Sequence, residues 1–197
     1  NKQFLKTLGI EKNSPEGFFF PDTYYFEADS RAFTILEIAK NRMDYILEQE
    51  WQNKPLDLTI KTKYETLIMA SIIEKETANG DERPAISGGF NRRLMLGMRL
   101  QSDPTVIYGL GELYNGNIKK IHLLTATPYN TYKIKGLPPT PIAMPGQHSI
   151  RAAINPKDGK DLYFVSMGDG NHKFSSSFAE HQKAVKKYQS KRKNGKR

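Results

Sequence analysis

The segment Ala70-Ser71-Ile72-Ile73-Glu74-Lys75-Glu76-Thr77 places two carboxylates inside a strongly apolar stretch. Leu67, Ile68, Met69, Ala70, Ile72, Ile73 and Ala78 fall on every side of a helix drawn through it, the pattern of a central, buried helix. At 100° per residue Glu74 and Glu76 point about 200° apart, so a single groove can hold only one of them. The face of Glu76 carries Met69, Ile72 and Ile73. A carboxyl set against such a surface has its charged form disfavoured and stays protonated near neutral pH, which is what a general acid needs. Glu74 shares its face with Leu67, Ala70 and Ala78, where it suits a hydrogen bond or an ion pair with an Arg. On these residues alone, the reading that both are surface charges at a frayed helix end stays open.

Two other clusters could meet a polar polymer. Gln101, Ser102 and Asp103 can hydrogen-bond sugar hydroxyls or amides, although Ser-Asp-Pro is also an ordinary helix start. Tyr129-Asn130-Thr131-Tyr132 offers ring faces for the C–H faces of sugars and an amide for N-acetyl groups. Aromatic loops of this kind also pack cores. Other chemistries find no support. The chain has no cysteine, which removes disulfides, thiolate metal sites and cysteine nucleophiles. His122, His148, His172 and His181 lack metal-ligand spacing, and neither a phosphate-cradling glycine loop nor a nucleophile elbow occurs. No metal and no organic cofactor is expected.

The elements that must position these residues follow from periodicity and breakers. A helix is expected over 31–51, capped by Asp29-Ser30, with Phe33, Leu36, Ala39, Met43 and Ile46 recurring at three- and four-residue steps. The apolar helix should cover 63–78 and stop before Asn79-Gly80, and another should span 83–98 despite Gly88-Gly89. A short helix follows Asp103-Pro104, and a further one covers 149–155. Turn residues dominate 114–146, a stretch long enough to be a candidate substrate surface. Segments 161–167 and 171–175 flank Gly168-Asp169-Gly170 as a hairpin, and Ser177 opens a last amphipathic helix. Local strands among several helices point to an α+β fold, a helical core with a small antiparallel hairpin. Residues 1–15 read as a linker or the remnant of a preceding region, 16–188 as the working domain and 189–197 as a basic tail.

The 197 residues suffice for one domain, and no apolar run approaches the ~20 residues that span a bilayer. Net charge is +9. The last fifteen residues hold eight basic and no acidic side chains, which leaves +1 on the body. A nucleic-acid partner would therefore rest on the tail alone, and none is expected.

Taken in order, Glu16-Gly17-Phe18-Phe19-Phe20-Pro21-Asp22-Thr23, the Ala70 to Thr77 segment, Gly97-Met98-Arg99-Leu100-Gln101-Ser102-Asp103-Pro104-Thr105-Val106, Tyr129-Asn130-Thr131-Tyr132 and Gly136-Leu137-Pro138-Pro139 resemble the MltG (YceG-like) endolytic murein transglycosylases. Five motifs in register are far more specific than any one. The resemblance implies an enzyme that cuts inside peptidoglycan glycan strands and leaves 1,6-anhydro-N-acetylmuramic acid ends. It implies that Glu76, the second Glu of Glu-Lys-Glu, is the single acid and base, with Ser71, Glu74, Gln101, Asp103, Tyr129, Asn130, Thr131 and Tyr132 as candidate substrate contacts. It further implies a monomer on the periplasmic side of the bacterial inner membrane, with peptidoglycan synthases as possible partners. Membrane attachment would come only through an N-terminal helix outside this sequence. One departure stands out: in Phe90-Asn91-Arg92-Arg93-Leu94, Arg92 replaces the Asn usual in the family. The rival reading is a non-catalytic peptidoglycan-binding scaffold.

Overall fold

The computed structural model describes residues 2–194, with side chains to residue 189. Eight α-helices and one two-stranded antiparallel sheet are found among the described residues, an α+β arrangement. At its centre lies α3 (Lys63–Glu76), which starts with a reciprocal cap. The Glu65 N–H donates to Thr62 Oγ1 at 3.1 Å, and the Thr62 N–H donates to Glu65 Oε2 at 3.2 Å. Every residue from Thr66 to Ile73 is buried, as the all-round apolar pattern requires. The helix ends at Glu76, two residues earlier than its periodicity suggested. Thr77 is extended (φ −144°), and its hydroxyl accepts the Asn79 N–H at 3.0 Å, a local bond that competes with another helical turn.

Around α3 pack α2 (Ala32–Gln52), α4 (Arg83–Met95), α5 (Asp103–Leu110) and α7 (Gln147–Ile154). Arg31, not Asp29-Ser30, is the N-cap of α2, and no side chain closes that end. Near its other end, buried Glu50 accepts from Arg151 Nη2 at 2.8 Å and from Gln147 Nε2 at 3.0 Å, which ties α2 to α7. Burial would push this carboxyl up, but the bonds from Arg151 and Gln147 outweigh it and hold the group below an ordinary glutamate.

Helix α4 carries Gly88 where the chain beyond α7 crosses it. A Cβ there would sit 2.3 Å from the Lys157 carbonyl oxygen, and the Lys157 N–H itself bonds Pro84 O at 2.8 Å. Gly88→Ala should therefore destabilise the protein by about 2 kcal/mol, even though alanine is the better helix former by about 1 kcal/mol. Thermal unfolding should show a fall of roughly 5 °C; an unchanged or raised midpoint would mean the crossing gives way freely.

Residues 2–15 are ordered against the rest of the protein. They hold α1 (Lys2–Thr7), and Leu5, Leu8 and Ile10 are buried against Phe18, Phe19, Phe33 and Leu36. Beyond α5 a further short helix, α6 (Lys120–Leu124), interrupts the turn-rich stretch. The hairpin pairs β1 (Tyr163–Ser166) with β2 (His172–Ser175), in the register Tyr163↔Ser175 and Ser166↔His172. Helix α8 (Phe178–Asn194) packs on both strands. Its backbone runs into the expected basic tail; residues 195–197 of that tail lie outside the described residues. Among the described residues no helix is long and apolar enough to cross a membrane.

Candidate functional site

The C-terminal end of α3, the loop entering α5 and Tyr132 form part of the wall of a cleft of about 500 Å³; the hairpin and α8 complete it. Glu76, the last residue of α3, lines this cleft and is half-buried: protein surrounds most of the carboxyl, yet the cleft reaches it. The Ser102 hydroxyl donates to Glu76 Oε1 at 2.5 Å. Burial raises the Glu76 pKa to about 7; the Ser102 bond opposes this, Asp103 adds to it and Arg93 opposes it. A carboxyl so placed is about half protonated at neutral pH and able to give a proton to a group in the cleft.

The loop entering α5 is built to hold this arrangement. Gln101 has φ 51°, the single non-glycine residue with positive φ among those described. Such a conformation costs a side-chain-bearing residue about 1 kcal/mol, so its surroundings must impose it. They do so through buried Thr131. Gln101 N–H donates to Thr131 O at 3.2 Å, Ser102 N–H to Thr131 Oγ1 at 2.9 Å, and Thr131 Oγ1 lies 2.8 Å from Thr105 Oγ1. Ser102 is thereby aimed at Glu76. Tyr132 donates its hydroxyl to Asp103 Oδ1 at 2.7 Å, and burial followed by that bond pushes the phenol pKa well up.

Arg93, on α4, joins the two parts of the cleft. Its Nε donates to Leu162 O at 2.6 Å and its Nη1 to Leu100 O at 2.6 Å, while the guanidinium sits 5.2 Å from the Tyr163 ring centre. One buried cation thus fixes the start of the hairpin to the loop that carries Gln101 and Ser102.

Of the residues singled out from sequence, Glu76, Gln101, Asp103 and Tyr132 come together in the cleft. The others do not line it, and each has a structural occupation. Ser71 Oγ donates to Ile68 O at 2.7 Å and accepts the Ile142 N–H at 2.9 Å. Glu74 is held by Arg83 at 3.3 Å and by the Gly146 N–H at 3.0 Å. Tyr129 packs against Tyr108 with ring centres 4.7 Å apart and planes tilted by 60°, and it bonds Thr140 Oγ1 at 2.9 Å. Asn130 spends its amide on the carbonyls of His122, Leu123 and Thr125. Thr131 is the loop fastener described above. Of the turn-rich 114–146 stretch, Tyr132 reaches the cleft, while Tyr129, Leu137 and Ile142 pack on the core. Arg92, at the departure from the family pattern, is also structural, donating to Asp161 O at 2.8 Å and to Lys157 O at 2.9 Å.

Sequence reasoning missed the second half of the site: Tyr163, Phe164, Ser166 and His172 from the hairpin, and Phe178 and His181 from α8. His181 stacks on Tyr163 with centres 5.3 Å apart, its Nδ1 is buried without a partner, and burial together with Arg93 lowers its pKa. The hairpin itself was evident from Gly168-Asp169-Gly170, but nothing local marks it as facing α3. Among the described residues no cluster of His, Cys, Asp or Glu could hold a metal ion.

Comparison with known proteins places this geometry in context. A family model described as the YceG-like family matches residues 1–187. A Bacillus subtilis protein named endolytic murein transglycosylase is 35% identical over 190 residues, covering 95% of this chain and 51% of that protein. A Streptococcus pneumoniae serotype 2 protein of the same name is 32% identical over 177 residues, covering 86% of this chain and 31% of its own length. The chain thus spans about half of the first relative and about a third of the second. A crystal structure of a yceG-like protein from Listeria monocytogenes superimposes with a TM-score of 0.79 at 33% identity, covering 92% of this chain and 62% of that one.

Proposed function

Because the chain belongs to the YceG-like family, we propose that it performs the bond-breaking step of endolytic murein cleavage, with Glu76 as general acid and then base. The observation that carries this reading is the Glu76 carboxyl, desolvated enough to be protonated near neutral pH and open to a cleft of sugar-chain size. Protonated Glu76 donates to the glycosidic oxygen between N-acetylmuramic acid and N-acetylglucosamine as the bond from C1 breaks. The leaving sugar departs with that proton on its oxygen. The 6-hydroxyl of the same muramic acid then attacks C1, and the Glu76 carboxylate takes the hydroxyl proton, which restores the acid. The new bond closes a 1,6-anhydro ring, so no water is consumed. Attack within one residue removes much of the entropic barrier of a second reactant. A hydrolase of the usual kind needs two carboxylates flanking the bond; here Asp103 shares the cleft, but Tyr132 already occupies one of its oxygens. Its charge is suited to stabilise the oxocarbenium-like transition state. The same reading puts the working protein in the bacterial cell envelope, acting as a monomer on peptidoglycan strands in company with the synthases that make them.

The deciding experiment is mass spectrometry of products from purified glycan strands. Internal cleavage with anhydro ends is expected. Binding without new ends would favour the scaffold reading, and reducing ends would mean hydrolysis. The pH profile adds a second check. With Glu76 near 7, kcat/KM should be flat below that pH and fall about tenfold per unit well above it. A rate that rises from pH 7 to 9 would remove Glu76 as the acid.

A further inference from the structure

The hairpin brings into the cleft a second proton-handling group that the acid–base cycle of Glu76 does not use. His172 opens β2 and lines the same cleft as Glu76. Its Nδ1 lies 2.8 Å from Glu82 Oε2, and its backbone N–H donates to Glu82 Oε1 at 2.8 Å, so one carboxylate grips the residue twice. The ring is held edge-on to Phe164, with centres 5.5 Å apart, and lies 6.5 Å from Phe174, which blocks its rotation. Asn79 adds a third tie to the same strand end, its Nδ2 donating to Asn171 Oδ1 at 2.9 Å. Asn79 and Glu82 both lie in the short segment that follows Glu76, so the position of the hairpin is set from the catalytic helix itself.

In a neutral imidazole, a carboxylate accepting from Nδ1 puts the proton on that nitrogen and leaves Nε2 with a lone pair. Among the described residues Nε2 has no protein partner, and it is not among the buried unpartnered atoms, so solvent reaches it. The side chain keeps 12% exposure, and the surface it lines is the cleft. A fixed acceptor at the wall of a glycan cleft suits a substrate N–H or O–H. We propose that His172 is a substrate-binding residue whose Nε2 accepts a hydrogen bond from a hydroxyl or acetamido N–H of the glycan strand, with Glu82 as its positioning residue. This rests on the murein reading of the cleft and adds to it a contact outside the Glu76 acid–base cycle.

The test uses the Glu76→Gln protein, chosen because loss of the acid should stop cutting while leaving the cleft in place, and a GlcNAc–MurNAc tetrasaccharide as the probe. Side-chain ¹⁵N spectra should show His172 as the Nδ1–H tautomer, and its Nε2 resonance should move as the tetrasaccharide is added. Glu82→Gln should weaken that tautomer preference and with it the movement of the Nε2 resonance on adding tetrasaccharide, a loss of ligand response that a purely structural role for Glu82 would not produce. In the cutting protein, His172→Phe keeps an aromatic ring at the wall and should raise KM for glycan strands about tenfold, with kcat within about threefold. The spectra need no substitution at position 172, so a poorly folding variant leaves the test intact. An Nε2–H tautomer, or an Nε2 resonance unmoved at saturating tetrasaccharide, overturns the proposal while internal cleavage by the unaltered chain keeps the murein reading. No cleavage and no tetrasaccharide binding would overturn both.

Discussion

Glu76→Gln should lower glycan cleavage by roughly a thousandfold or more, the scale on which a sole general acid–base group contributes. The same substitution should make the fold more stable. The sign follows from the raised pKa. The folded state holds the Glu76 proton up to about pH 7, whereas the unfolded chain releases it near the ordinary glutamate value of 4.5. Between those values the native protein binds more protons than the unfolded one, so its stability declines as pH rises through that window. Above pH 7 the accumulated cost approaches about 3 kcal/mol at most, and cleft water screens part of it. Glutamine still accepts from Ser102 and carries no charge to desolvate. The expected result is therefore a variant equal in stability to the parent near pH 4 and more stable at pH 8, with cleavage lost at both. Denaturant unfolding at the two pH values reads this directly. A variant less stable at pH 8, or one that still forms anhydro ends, would contradict the assignment.

Arg93→Met should damage both stability and the pH profile. The substitution leaves Leu162 O and Leu100 O without their donor and removes the cation over Tyr163. Lost bonds to a buried charged group and two orphaned carbonyls should cost about 3 kcal/mol. Arg93 also lowers the Glu76 pKa, so its loss should let that value climb further and carry the alkaline limb of activity upward. Residual activity at pH 8, corrected for folded fraction, would then exceed expectation from the parent profile. A downward shift of the limb would mean that Arg93 does not face Glu76 electrostatically. Lysine at this position cannot span both carbonyls and should rescue little.

How far the amino-acid sequence reveals this site depends on whether the deciding contact is local. Helical periodicity favours Glu76 over Glu74, two residues and about 200° away, but the motifs in register are what single it out. Gln101 and Asp103 stood out because a polar run precedes a proline-started helix. Asn130 and Thr131 read equally well as sugar ligands, since an amide and a hydroxyl serve a glycan or a loop with the same atoms. Only tertiary structure shows that Asn130 is spent on three carbonyls and Thr131 on the Gln101–Ser102 turn. The hairpin wall was hidden for another reason. Its strands were plain from the Gly-Asp-Gly turn, but their approach to α3 depends on Arg93, Asn79 and Glu82, contacts across 69 to 92 residues of chain. No window of local pattern carries that distance. Near the start of the chain a polar average conceals the three aliphatic side chains, Leu5, Leu8 and Ile10, that seat α1.

The short bond between Ser102 and Glu76 also settles a matter of orientation. A serine hydroxyl committed to Oε1 keeps that oxygen as an acceptor whether or not the carboxyl is ionised. With the serine hydrogen in that bond, the labile hydrogen of the acid rides on Oε2, the oxygen without a protein neighbour to claim it. The two oxygens of one side chain are thereby made unequal before any sugar arrives, and each encounter meets the same armed edge.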